Sequence, residues 1–187
     1  MIFDQGVIEA ALKAKQAGKK IQGIIVVAKD APYENVEDLA GLQVAFPAPA
    51  AFAATLIPLA HFKSQNIGVK AKYVSSHDSV YRAVSAGFYP AGGGVVRTFK
   101  SVTPEVRDRL RILWTSPGFT PHAIAAHPRV DAEVFDQVQQ ALASMHEHEQ
   151  ARPILQRLKI DGFSAAQNQD WDDVRGLNID LTLGTTD

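Results

Sequence analysis

The 187 residues contain no cysteine. That excludes disulfide frameworks, thiolate metal centres and cysteine nucleophiles together. Neither sign of charge dominates: 19 Lys and Arg stand against 20 Asp and Glu, a formal net charge of -1. A protein that grips nucleic acid through its phosphates needs a basic stripe to displace counterions, and none is present. Lys13, Lys15, Lys19 and Lys20 do cluster, but on a segment that reads as the solvated side of a helix. Long apolar runs are missing too. The longest near the start, Ile21 to Ala28, is interrupted by Gln22 and falls far short of the roughly 20 residues of a bilayer span. Met1 leads into what reads as an amphipathic helix, without the basic segment, apolar run and small-residue cleavage site of a secretion signal.

Catalytic signatures are equally scarce. Ser76-His77-Asp78 places three triad residue types side by side, whereas a triad is assembled from separate segments so that base and nucleophile face each other. Gly92-Gly93-Gly94 has no following Lys-Ser/Thr and is no P-loop; these glycines allow close backbone approach or a tight turn. No glycine-flanked nucleophile elbow or HExxH accompanies them. His146 and His148 are two apart, so on a helix they point to different faces and do not converge on a metal. An enzyme is therefore not expected, nor any cofactor or metal.

What is present is repeated alternation of short β-rich runs with helical ones, the pattern of an α/β fold. The composition of Val7 to Ala17 predicts a helix ending at Gly18, and Ile21 to Ala28 a buried strand. Asn35 followed by Asp38 forms a capping-box pattern for a short helix that stops at Gly41. Gln43 to Phe46 reads as a strand and Ala50 to Ser64 as a helix, disturbed by Pro58. Lys70 to Val74 is a strand, Asp78 to Ala86 a helix, Gly93 to Arg97 a strand after a glycine turn. Thr103-Pro104-Glu105 starts a helix, and Leu110 to Thr115 is a strand. His122 to Ala126 reads as a further apolar strand, flanked by His122 and His127 in structural roles. From Asp131 onward the pattern is all helical, with Val134, Val138, Leu142 and Met145 on one face. Trp114 and Trp171 sit in apolar patterns as packing residues.

The most informative stretch runs from Tyr73 to Phe99. Ser75, Ser76 and His77 fall where a strand hands over to a helix, so hydroxyls, an imidazole and first-turn N–H groups are presented together, the makings of a small-anion site. Ligands in open α/β sheets sit beyond the carboxyl ends of strands. Two apolar strands, Ile21 to Ala28 and His122 to Ala126, bracket the units between them and suit crossovers between two lobes. The expected division is 1–30 for the end of a first lobe and a crossover, 31–121 for a second lobe, and 122–187 for the return crossover and helices that pack on the first lobe.

Several segments resemble the substrate-binding proteins of phosphate, phosphite and phosphonate ABC transporters. They are Gly23 to Asp30 with Val36 to Phe46, the loop Ser75 to Val80, Val106 to Pro117, and Lys159 to Phe163 with Asp170 to Arg175, in that serial order. The resemblance implies a type II periplasmic-binding fold lacking most of its first lobe, a location in the periplasm, a small anionic ligand and an ABC permease as partner. It implies that His77 matches the family's ligand histidine. It also implies two departures. The serine- and threonine-rich turn of phosphonate binders is here Ala50 to Ala54, so Ala51, Phe52 and Ala53 would offer backbone N–H groups alone. A helix N-terminus still favours negative charge by about 0.3–1 kcal/mol. Where many relatives carry an acid after the third strand of the second lobe, Arg97 stands, a donor in place of an acceptor. The expected function is thus solute binding for an importer of a small oxyanion, with a ligand-sensing module as the alternative and an enzyme on a phosphorylated small molecule as the third reading. Exposed crossover strands would also allow a swapped homodimer.

Overall fold

The computed structural model describes residues 13–16, 20–158 and 160–179, and its chain divides into two compact units, one of residues 1–20 with 119–176 and one of residues 21–118 with 177–187. Its strands are β1 (Lys13–Gln16), β2 (Gly23–Ala28), β3 (Gln43–Phe46), β4 (Lys70–Tyr73), β5 (Ala91–Val95), β6 (Leu110–Thr115) and β7 (Phe163–Ala166). Its α-helices are α1 (Ile57–Ser64), α2 (His77–Ser85), α3 (Val96–Ser101), α4 (Pro104–Arg107), α5 (Ala132–Ala143), α6 (Arg152–Leu158) and α7 (Asp172–Arg175).

The unit of residues 21–118 is built on a five-stranded sheet in the order β4-β3-β5-β2-β6. β4, β3 and β5 run parallel, and β2 runs antiparallel to both of its neighbours. β2 has no polar side: Ile24, Ile25, Val26 and Val27 are all fully buried. Successive side chains of a strand point to opposite faces, so Ile24 and Val26 join Val80, Tyr81, Val84 and Phe99 in one core. Ile25 and Val27 join Leu39, Val44, Phe46 and Phe62 in the other. Each such side chain contributes about 1.5–3 kcal/mol on burial, and a strand covered on both faces reads in sequence as a continuous apolar run. The expected capping box is present in part: Asp38 Oδ2 accepts from the N–H groups of Glu34 at 2.7 Å and Asn35 at 3.1 Å, starting a 3-10 turn over Val36–Leu39.

The helix expected over Ala50 to Ser64 begins instead with a π turn, Phe52–Leu56, that passes into α1. Leu56 N–H donates to Ala51 O and Ile57 N–H to Phe52 O, both five residues back. Pro58 explains the irregularity, because its nitrogen carries no hydrogen for the carbonyl of Ala54 four residues earlier. That carbonyl lies against Gly93, and the carbonyl of Ala53 against Gly23; a Cβ on either glycine would run into backbone. The glycines therefore let the π turn lie directly on the sheet.

This corrects two expectations. Gly92, Gly93 and Gly94 lie inside β5, not in a turn before it, and the strand ends at Val95, so Val96 and Arg97 belong to α3. β2, within the run Ile21 to Ala28 that was expected as a crossover, is paired on both sides within its sheet. His122 to Ala126 was expected as a further strand. It forms no strand, only a single bridge at Ile124, and Ala123, Ile124 and Ala125 are exposed.

In the other unit, β1 and β7 form an antiparallel pair, Lys13 opposite Ala166 and Gln16 opposite Phe163. The helix expected over Val7 to Ala17 is thus a strand at residues 13–16, the remainder lying outside the described residues. Its Lys, Ala and Gln favour helix only weakly, and pairing with β7 overrides so small a preference. β7 equally interrupts the all-helical reading from Asp131. Lys20 Nζ pairs with Asp173 Oδ2 at 2.7 Å, and the same carboxylate oxygen accepts from Thr120 N–H at 2.9 Å and Thr120 Oγ1 at 3.0 Å. Burial alone would raise the Asp173 carboxyl; the hydrogen bonds from Lys20 and Thr120 outweigh it and hold the group below its ordinary value. Trp171 Nε1 donates to Pro121 O at 2.7 Å. None of the described helices is long and apolar enough to cross a membrane.

Candidate functional site

Three parallel neighbours, β4, β3 and β5, end at one edge of the sheet, with Phe46 opposite Tyr73 in the register. Each then leads into a helical segment: β3 through Pro47 to Ala51 into the π turn, β4 through Val74 to Ser76 into α2, and β5 directly into α3. The topology therefore brings all three groups of expected ligand residues to the same carboxyl edge, where open α/β sheets take ligands. Sequence reasoning placed these segments separately; parallel pairing is what gathers them.

The loop before the π turn is held from below. Thr55, fully buried, donates through Oγ1 to Ala48 O at 2.8 Å, and Ala51 N–H donates to the same carbonyl at 3.2 Å. Ala51 and Phe52 are half-buried, whereas Ala53 is buried against Gly23. First-turn N–H groups have no intrahelical acceptor. The N–H of Ala51, expected to face a ligand, is instead taken by Ala48 O.

On the second loop, Ser75 adopts a left-handed backbone with φ of 68°, an uncommon state for a non-glycine residue. Its Oγ donates to Val74 O at 2.6 Å. Ser76 caps α2: its Oγ accepts from Ser79 N–H at 3.1 Å and shares a hydrogen bond with Ser79 Oγ at 2.8 Å. Both hydroxyls thus shape the turn while remaining exposed. Asp78, the one acid of this turn, is engaged by Arg82 one helical turn on, Nε to Oδ2 at 2.5 Å.

His77, the first residue of α2, is half-buried. Its Nδ1 is shielded from water and has no hydrogen-bond partner among the described residues, while Nε2 is not so enclosed. Burial first, and the positive charge of Arg97 second, lower its pKa below the ordinary 6.5.

Tyr81, four residues after His77 and on the same face of α2, fixes the third segment. Its hydroxyl accepts from Val95 N–H at 3.2 Å, lies 3.3 Å from Val95 O and shares a hydrogen bond with Thr98 Oγ1 at 2.7 Å. The clasp spans the residues on either side of Arg97. Sequence reasoning missed Tyr81 and Thr55; the signal available was their place one turn into helices that begin at the edge. A groove of about 680 Å³ elsewhere on this unit, lined by Phe62, Lys63, Ile67, Lys70 and Tyr73 among others, includes none of the seven expected ligand residues. Among the described residues no group of three or more His, Asp or Glu is arranged to hold a metal ion.

A mixed open sheet whose helical segments open at one carboxyl edge defines the class: the fold is that of the type II periplasmic binding proteins. A Xanthomonas citri protein bound to chloride superimposes with a TM-score of 0.80 at 14% identity, covering 90% of this chain and 68% of the other. PhnD1 of Prochlorococcus marinus, in complex with methylphosphonate, does so with 0.77 at 15%, covering 90% and 70%. A binding-protein component of a Pseudomonas aeruginosa phosphonate ABC transporter gives 0.74 at 15%, covering 90% and 61%. Over residues 3–171 the chain matches the periplasmic substrate-binding proteins of phosphonate ABC transporters, and it belongs to that family. No curated protein sequence matches it.

Proposed function

We propose that the chain is the solute-binding component of an ABC importer, working in the periplasm with a membrane permease and taking a compact oxyanion such as phosphite, a phosphate analogue or an organophosphonate. The observation that carries this reading is the convergence of the Ala51 loop, the Ser75 to His77 loop and Arg97 at the ends of three adjacent parallel strands. The turn at Ala51, Phe52 and Ala53 supplies oriented backbone dipoles, Ser75 and Ser76 supply hydroxyls, and His77 supplies a ring nitrogen. Arg97 supplies full charge. Hydrogen bonds to an anion are about twice as strong as neutral ones, and nothing in this set of groups activates a nucleophile. The ligand is therefore bound and released unchanged.

Thermal unfolding with methylphosphonate, phosphite and phosphate tests the reading. A ligand that binds only the native state raises stability by about 2.7 kcal/mol at 100 times its Kd. The expected result is a concentration-dependent rise in Tm with at least one of them, and a phosphorus NMR spectrum of the ligand unaltered after incubation. No rise with any of the three at millimolar concentration, or conversion of the ligand, would overturn it.

A further inference from the structure

We propose that Arg97 is the specificity-determining residue of this site, admitting compact oxyanions that carry only negative charge and turning away those that also carry an ammonium group. The inference rests on the site proposed above and adds the charge class of its ligand. Arg97 is exposed, and its guanidinium has neither an ion pair nor a hydrogen bond with any described residue. Nearby carboxylates are committed elsewhere: Asp78 pairs with Arg82, and Glu105 is held by its own backbone N–H and by Thr103 and faces Arg82. Both carboxylates thus already have a cationic or hydrogen-bonding partner of their own.

Position is as well defined as charge. Tyr81 anchors Val95 and Thr98 on either side of Arg97, and His77 stands one turn before Tyr81 on the same helical face. The effect of the Arg97 charge on the imidazole agrees with that placement. Of this pair, the guanidinium is the group that stays charged at every working pH. A planar fork of five donors suits a phosphonate or phosphate face. A ligand ammonium brought to the same place meets like charge.

The test uses an isosteric pair, ethylphosphonate and aminomethylphosphonate, which differ by CH3 against NH3+ at equal heavy-atom count. Calorimetric titration of the full chain at one pH should give a preference for ethylphosphonate of about tenfold or more. Arg97→Lys should keep most of that preference, Arg97→Ala should bring the two within about threefold, and Arg97→Glu should reverse the order, with an unchanged melting transition in the ligand-free protein for each. A ratio that stays the same across the three variants overturns the assignment while leaving oxyanion binding intact. Absence of binding to ethylphosphonate, methylphosphonate, phosphite and phosphate alike in the unaltered protein overturns both readings.

Discussion

The two units solve the same problem with different means. In the unit of residues 21–118, β2 is fully enclosed and helices cover both faces of the sheet, so the apolar pattern of the sequence is answered by apolar partners. In the other unit α5 has no buried residue: Val134 and Val138 are 49% and 46% exposed, although they share a face. There the fixed points are largely polar, centred on the carboxylate of Asp173. Periodicity states which face of a helix favours burial; it does not state what covers that face.

This contrast can be broken in graded steps. Trp114 lies in the sheet unit, stacked on His61 at 4.4 Å, and Trp171 in the other, so single-tryptophan variants report the two units separately. The largest effect is expected from Gly93→Val, which drives a side chain into the π turn and Phe46. It should cost the sheet unit ~4 kcal/mol or more in chemical denaturation followed through Trp114. Tyr81→Phe comes next, at about 1–2 kcal/mol, because Val95 N–H and Thr98 lose a buried partner. It should weaken oxyanion binding as well, which a purely structural role far from the site would not do.

Asp173→Asn should cost about 1 kcal/mol in the other unit, read through Trp171, since Lys20 is largely exposed and its pairing is screened. Its pH dependence has a definite sign. A carboxyl depressed in the fold contributes stability that is present above its ordinary 3.8 and is lost as pH falls through the folded value. The variant should therefore flatten the acid limb of stability below about pH 4. Val134→Lys sets the lower bound: with the side chain half in water, the change should stay within about 0.5 kcal/mol. A large loss there would mean that α5 has a cover in solution.

Much of the sheet unit was legible in the residues themselves. The apolar runs at Ile21 to Ala28 and Leu110 to Thr115, the Asn35 and Asp38 pair and the Ser76 cap announced their elements because local patterns there coincide with what tertiary packing demands. Where the two part company, the reading failed. Lys13 to Gln16 is a strand only because Phe163–Ala166 lies beside it, a partner some 150 positions away that no local window contains. Gly92 to Gly94 reads in isolation as a turn or as a place of close backbone approach; the second holds, inside a strand and not before one. At the candidate site, Ser76 and His77 were visible because they mark a helix start. The gathering of the Ala51 loop, His77 and Arg97 depends on the order and direction of β4, β3 and β5, which periodicity does not encode. Tyr81 and Thr55 went unnoticed because a single hydroxyl on a helix leaves no pattern, even when it shapes the loop beside it.

Thr55 and Tyr81 also divide labour with the residues they support. Their bonds run to backbone atoms of the Ala48 loop and the β5–α3 junction, so the shape of the rim is stored beneath it, in positions that tolerate little change. The exposed side chain of Arg97 carries none of that duty. Under the proposed reading, a substitution at Arg97 alters what the rim recognises while the contour beneath it persists.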